Sequence, residues 1–312
     1  MDNINSLTFT VQDIDSDIRI DKFIAQNEYL NSSEHPLSRS YIQKLIKDGN
    51  VKVNEQIVKP SRVIAEGDQI YVHVPKPIIP AIEAVNIPLD IIYEDSDIIV
   101  INKPKNTVVH PAPGHYNDTI VNALMYHCGD NLSGINGVLR PGIVHRIDMN
   151  TTGLIVACKN DVAHRFIAAQ LKEHSITRKY EAIVYNHFND ENGTVDAAIA
   201  RCKSDRKKMA LSPDGKRAVT HYHVISNLKN NFAHIECQLE TGRTHQIRVH
   251  MSSINHPLLG DTIYGNAKSN FNLEGQVLHA RTLGFIHPST KEYMEFTSPL
   301  PDYFKKLLEI LS

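Results

Sequence analysis

No stretch of this chain approaches the ~20 consecutive apolar residues that a membrane-spanning helix needs, so no membrane span is expected. The opening residues, MDNINSLTFTVQDIDSD, have no basic start and no apolar core. That excludes a secretory signal or an Arg-rich transit peptide there and makes the cytoplasm the expected compartment. No Cys-x-x-Cys pair occurs: Cys128, Cys158, Cys202 and Cys237 stand 30, 44 and 35 residues apart. This excludes a zinc ribbon and a thioredoxin-like motif, and leaves incidental reduced thiols. A P-loop, a Gly-rich dinucleotide turn, an internal repeat and a low-complexity tract are missing as well.

What is present is ordinary in bulk and uneven in detail. The 312 residues, 41% hydrophobic and 22% charged, fit a soluble globular chain of about two domains. The net charge of −2 does not suggest a polyanion partner, yet residues 140–250 hold 17 basic and 11 acidic side chains, a local excess of +6. Such asymmetry marks a face for a polyanion, or arises by chance.

The first unit is expected over 1–76. Apolar residues from Ile18 to Leu30 have near-helical spacing. A second helix starts at the capping residue Ser38, carries Tyr41, Ile42, Leu45 and Ile46 on one stripe, and ends at Gly49. Val51-Lys52-Val53 and the stretch 67–74 alternate as strands. Arg39, Lys44, Lys47 and Lys52 lie on or beside the second helix, off its stripe, as a solvated face or a phosphate grip. Pro75, Pro77, Pro80 and Pro88 rule out a helix or central strand, so 77–88 reads as a linker. A second unit follows over 89–312. Strands are expected at 97–104, 142–148, 153–159, 178–185, 218–225 and 232–240. Helices are expected at 161–173, from a cap at Thr244, and at the C-terminus. Many strands, few helices and no βαβ alternation imply an α+β fold on a mixed, mostly antiparallel sheet.

Three segments could carry chemistry. In H-R-I-D-M-N-T-T-G, Asp148 is expected to end a strand at a tight turn, where an aspartate commonly bonds only the turn's own backbone. In T-G-R-T-H-Q-I-R-V-H, Arg248 sits near Ile247's side of the expected helix, and if the apolar stripe draws it inward it needs a carboxylate. Asp148 is the natural partner, and a carboxylate beside arginine keeps the charge that a nucleophile requires. In R-K-Y-E-A, Tyr180 is either a core tyrosine or a platform for a planar base. The histidines do not form a ligand pattern: His245 and His250 diverge on a helix, and His221 and His223 share a strand face alone. No metal is expected.

H-R-I-D-x-x-T-T-G, R-K-Y-E-A and T-G-R-T-H-Q-I-R-V-H, in this order, resemble the RluA-type pseudouridine synthases. V-I-N-K-P before them, and H-P-L-L-G-D-T-I-Y-G and L-H-A after them, fit too. Ile147 stands where that family usually has leucine. The first unit resembles the α-L RNA-binding module, whose V-x-V-N is usually followed by glycine; this chain has Glu55. Together they are most similar to the subgroup acting on large-subunit ribosomal RNA at the helix 69 loop.

The resemblance implies uridine isomerisation with Asp148 as the catalytic aspartate, Tyr180 stacked on the uracil and Arg248 paired with Asp148. It also implies Arg146 inserted in place of the flipped base and Leu278 beneath the uracil. Arg243 and His245 are expected RNA contacts, and the basic segment 201–208 is expected to touch phosphates. The reaction oxidises nothing and carries no group away, so no cofactor is expected. The expected partner is large-subunit ribosomal RNA, bound by a single chain with no membrane. Other readings stay open: a synthase for other large-subunit sites, a non-catalytic assembly factor, or a metal-dependent hydrolase built on the histidines. The assembly factor would be expected to have lost Asp148 or Arg248.

Overall fold

The structure, a computed structural model, describes residues 6–27, 39–74, 82–129, 131–135, 140–205, 207–265 and 271–312. The chain divides into two compact units, Met1–Ile79 and Pro80–Ser312.

In the first unit, strands β1 (Ser6–Thr10), β2 (Val51–Val53), β3 (Gln56–Ile57) and β4 (Gln69–His73) form an antiparallel sheet in the order β1-β4-β2-β3. Helices α1 (Ile20–Gln26) and α2 (Arg39–Lys47) accompany it. Ile42, Leu45 and Ile46 of α2 are buried with Ile20, Phe23, Ile24, Ile70 and Val72, so the apolar stripe supplies the core. Gly49 ends α2 at φ +77°. The turn at Asn54-Glu55 keeps its glycine-type geometry without glycine: both residues have positive φ, 48° and 65°. Asn54 holds it, donating to Asp68 at 2.8 Å and accepting from the Gln69 amide at 2.9 Å. The expected cap Ser38 lies outside the described residues, as does most of the Pro-rich stretch. After it, Ile82 is buried in the core of the second unit.

The second unit is built on β5 (Ile91–Glu94), β6 (Ile98–Lys103), β7 (Thr152–Cys158), β8 (Thr177–Tyr185), β9 (Asn192–Asp196), β12 (Val219–Leu228), β13 (Phe232–Leu239), β14 (Leu278–Ile286) and β15 (Tyr293–Thr297). A small hairpin, β10 (Ile199–Arg201) and β11 (Met209–Leu211), stands apart. The large sheet runs β5-β6-β7-β14-β8-β13-β12-β9, with β15 on β14. Its pairs are antiparallel except β7 with β14, so the sheet is mixed and mostly antiparallel. Gly153 permits the parallel contact: at φ +107°, a Cβ there would stand 2.2 Å from the Ala280 carbonyl. Helices α3 (Ile120–Cys128), α4 (Asp161–Lys172), α5 (Gln246–Ser253) and α6 (Asp302–Leu311) complete the unit, giving an α+β fold. Among the described residues no helix is long and apolar enough to cross a membrane.

Two expectations fail where they touch the site. Residues 142–148 form no strand; Ile143 makes one bridge to Ala157, and the rest is extended loop. Ile143 and Val144 pack against β7 from outside the ladder, and Ile147 is buried in the cluster of Tyr180 and Leu278; periodicity alone cannot separate such a segment from a strand. Thr244 does not cap α5. Its N-cap is His245, in the left-handed conformation at φ 55°, and that side chain does not cap. The C-terminal helix likewise has Pro301 at its N-cap, with no side-chain bond.

Candidate active site

A cleft of about 370 Å³ in the second unit is lined by Arg146, Asp148, Tyr180, Arg243, His245, Arg248 and Leu278, among others. These residues come from the 142–151 loop, β8, the loop before α5, α5 itself and the start of β14. A volume in this range accommodates one small planar ligand.

Asp148 opens a turn in which the Thr151 amide bonds the Asp148 backbone carbonyl at 3.0 Å. Its carboxylate therefore leaves the turn's backbone and meets Arg248, whose Nη1 donates to Oδ2 at 3.0 Å. Arg248 is 5% exposed, and its other donors go to a second carboxylate: Nε and Nη2 bond Asp261 at 2.7 and 2.9 Å. This bidentate pair fixes the guanidinium plane. Among the described residues the Asp148 carboxylate thus receives one bond, and its Oδ1 is left on the cleft side, 3.9 Å from His245 Nε2. Burial alone would raise the Asp261 carboxyl, but Arg248 and the Ile263 and Tyr264 amides hold it below the usual carboxylate range. Burial opposes the Arg248 charge, yet the two carboxylates raise its pKa further.

The loop before α5 is clamped by Gln246. Its amide oxygen accepts from Thr241 and the Arg243 amide at 2.8 and 2.9 Å, and its nitrogen donates to Val219 O and Thr220. His245 is thereby turned toward the carboxylate, not out to solvent. Tyr264 accepts from the Met209 amide at 2.7 Å and meets His245 Nδ1 at 2.8 Å, while its ring lies 5.1 Å from the Arg248 guanidinium. The tautomer in which Tyr264 donates to Nδ1 carries the ring proton on Nε2, on the side of Asp148. Burial lowers the His245 pKa, Asp148 opposes this, and Arg248 adds to it. Behind the turn, the buried Lys103 ammonium donates to the carbonyls of Pro104, Thr107 and Met149 at 2.8–2.9 Å. It locks the residue next to Asp148. Burial pushes this ammonium down to about 7, with Asp148 pulling it back up.

Tyr180 is 8% exposed, and among the described residues its hydroxyl makes no hydrogen bond. Burial raises its pKa; the Arg178 charge opposes this and Asp148 adds to it. Leu278 is buried in the same apolar cluster as Tyr180. Arg146 is exposed at the cleft, without an ion pair among the described residues, whereas Arg243 Nε is spent on the Arg217 carbonyl at 3.0 Å. Lys44 and Lys47 are exposed on α2, and Lys52 is half-buried on β2. The side chain of Arg39 lies outside the described residues. In the 201–208 segment, Arg201, Lys203 and Lys207 are exposed on the β10–β11 hairpin.

The histidines that invited a metal reading do not converge. His221 bonds Thr194 and Glu240, His223 bonds Asn192, and His250 is buried on Thr220 and the Ala197 carbonyl. Asp95, Asp97 and His287 do cluster, but their polar atoms already serve one another, Tyr93, Asn160, Ser289 and nearby amides. Sequence reasoning missed Asp261 and Tyr264, although both stand in the H-P-L-L-G-D-T-I-Y-G motif; that motif was their only signal.

Residues 97–253, holding Asp148, Tyr180 and Arg248, match the RNA pseudouridylate synthase family. The chain belongs to this family. Residues 18–70 match the S4 domain. An uncharacterized RNA pseudouridine synthase of Bacillus subtilis is 50% identical over 99% of both chains. A Zymomonas mobilis protein called ribosomal large subunit pseudouridine synthase D is 48% identical, over 88% of this chain and 90% of its own. Among solved structures, human RNA pseudouridylate synthase domain containing 1 superposes with a TM-score of 0.58 at 24% identity. It covers 72% of this chain and 88% of that one, a likeness of fold. The protein is therefore a pseudouridine synthase, an isomerase, with an S4-type RNA-binding domain in front of its synthase domain.

Proposed function

We propose that this synthase converts uridines of large-subunit ribosomal RNA to pseudouridine, in the helix 69 loop, with Asp148 as the catalytic carboxylate. The observation that carries the reading is the single Arg248 bond on Asp148, which leaves one carboxylate oxygen at a cleft floored by Tyr180 and Leu278. The names of relatives at 42–48% identity support the large subunit as substrate.

The reaction breaks N1–C1′, turns the uracil and joins C5 to C1′; the C5 proton leaves and N1 ends protonated. A stacked uridine is out of reach, so it must be flipped, at a cost of a few kcal/mol. Arg146, free at the cleft, fills the gap left in the RNA. Tyr180 stacks on the uracil, an offset of ~1–3 kcal/mol, while its unbonded hydroxyl assists proton removal at C5. Leu278 supports the ring from beneath. Asp148 Oδ1 then attacks C1′ or takes the ribose proton that opens a glycal route. Arg248 holds the carboxylate in place, and Asp261 holds Arg248. Lys44, Lys47 and Lys52, with Arg39, grip phosphates through the first unit; Arg243, His245 and the 201–208 hairpin contact RNA through the second. The protein acts as a single chain.

The test maps pseudouridines by carbodiimide-stop sequencing in large-subunit RNA from cells lacking this gene, complemented with wild type or Asp148→Asn. Helix 69 signals should vanish and return only with wild type. Signals missing elsewhere would move the target. An unchanged map with unassembled subunits would replace the enzyme reading with that of an assembly factor.

A further inference from the structure

Arg178 is a buried cation with no part in the chemistry proposed for Asp148. It stands on β8 two residues before Tyr180, so both side chains leave the same face of the strand, roughly 7 Å apart along it. It lines the same cleft and is 6% exposed. Nη2 donates to the Glu240 carbonyl at 2.8 Å. Nη1 lies over Gly242, where a Cβ would stand 2.6 Å from it, so the glycine of T-G-R-T is what makes room for this guanidinium. Nε is buried with no acceptor. Among the described residues no carboxylate pairs with Arg178, and Arg243 is a cationic neighbour that disfavours its charge further, as burial does.

A guanidinium does not lose its proton at working pH. A buried one without a counter-charge is costly, and a bound anion would offset that cost. The substrate of this family is RNA, and its anions are phosphodiesters. In a nucleotide the flanking phosphates lie one sugar away from the base, a reach comparable to the spacing of Tyr180 and Arg178 on β8. Arg140, Arg146, Arg243 and His174 line the same cleft, and none of them is a counter-ion.

We propose that Arg178 is the binding site for a phosphodiester flanking the flipped uridine, with Gly242 as the residue that keeps its guanidinium in place. This rests on the base-flipping reading of the cleft. Arg178 acts on binding and register; Asp148 carries the chemistry.

The test uses the full chain and a short hairpin RNA carrying the target uridine. Arg178→Gln should raise KM about tenfold, the scale of one hydrogen bond to a charged group, while kcat changes far less. The slope of log Kd against log salt should fall by about 0.7–0.9, one phosphate contact, and Arg178→Lys should restore part of it. A methylphosphonate at the flanking phosphate should weaken wild type but not Arg178→Gln. If Arg178→Gln fails to fold, the same substitution in the RNA is tested on wild type and on Gly242→Ala, which displaces Nη1 while keeping the charge. Loss of kcat with unchanged KM and salt slope would place Arg178 on the uracil and overturn the proposal. So would equal sensitivity of wild type and variant to the methylphosphonate at either flanking position. An active Asp148→Asn would instead sink the underlying site, whatever Arg178 does.

Discussion

The two units bury different things. The core of the first is aliphatic and aromatic, and its buried acids serve local structure: Asp21 accepts from Arg19 and Gln43, and Asp68 from Asn54 and the Ala65 amide. Its described lysines are exposed, except the half-buried Lys52. The second unit carries Lys103, Arg178, Arg248 and Asp261 inside, each 6% exposed or less. A surface charge in water contributes little and adds independently of its neighbours. A buried charge is tied to its partner and fails with it. Binding through the first unit should therefore erode step by step under mutation, whereas the second should fail outright.

The hardest break of that contrast is Asp148→Asn. It keeps the shape and loses the charge, so pseudouridine formation should drop below detection in a single-turnover assay while RNA affinity stays within a few-fold of wild type. A variant that still turned over would remove Asp148 from the chemistry. Next comes Arg248→Ala, which leaves the buried Asp261 without its partner. A cost of ~3–5 kcal/mol is expected, a fall in Tm on the order of 10 °C for a domain of this size. Asp148→Ala should cost clearly less, because Arg248 keeps both Asp261 bonds. Equal losses would mean that the two carboxylates share Arg248 evenly.

The same contrast explains what could be read in advance. Patterning located α2 by its apolar stripe, the start of β8 by alternation, and β6, β7 and β13 as apolar runs. It failed at 142–148, where a buried loop has the composition of a strand. The Asp148–Arg248 pair was legible, since a buried arginine demands a carboxylate. Asp261 was not, although it takes two of the three Arg248 bonds, because a contact 13 residues away through a loop leaves no period. The turn geometry of His245 was hidden for a related reason: its left-handed backbone goes with the Gln246 clamp, whose partners come together only in the folded loop.

A milder perturbation acts through His145. Its Nε2 accepts the Val156 amide at 3.0 Å, so a proton there would set N–H against N–H. Burial, with Arg178 adding to it, pushes its pKa down to about 3. The unfolded value is about 6.5. The folded form is the poorer proton binder, so this contribution is intact above pH 6.5 and is lost as pH falls toward about 3. Tm should decline on that acid limb, and His145→Gln, whose amide oxygen can accept the same bond without titrating, should flatten it. An unchanged limb would assign the acid sensitivity to other groups, such as His279, which burial lowers to about 4.

The smallest effect is expected where charge is most exposed. Lys44 and Lys47 stand on the solvent side of α2, away from Ile42, Leu45 and Ile46. Replacing either with alanine removes no buried contact and should leave Tm unchanged. If each lysine meets one phosphate, each loss should lower the salt slope of RNA binding by about 0.7–0.9, and the double variant should lose the sum. Additivity is the informative part, because independent solvated charges add and a preorganised cluster does not. A double variant weaker than the sum of the singles would mean that the first unit, like the second, has a site in which charges depend on one another.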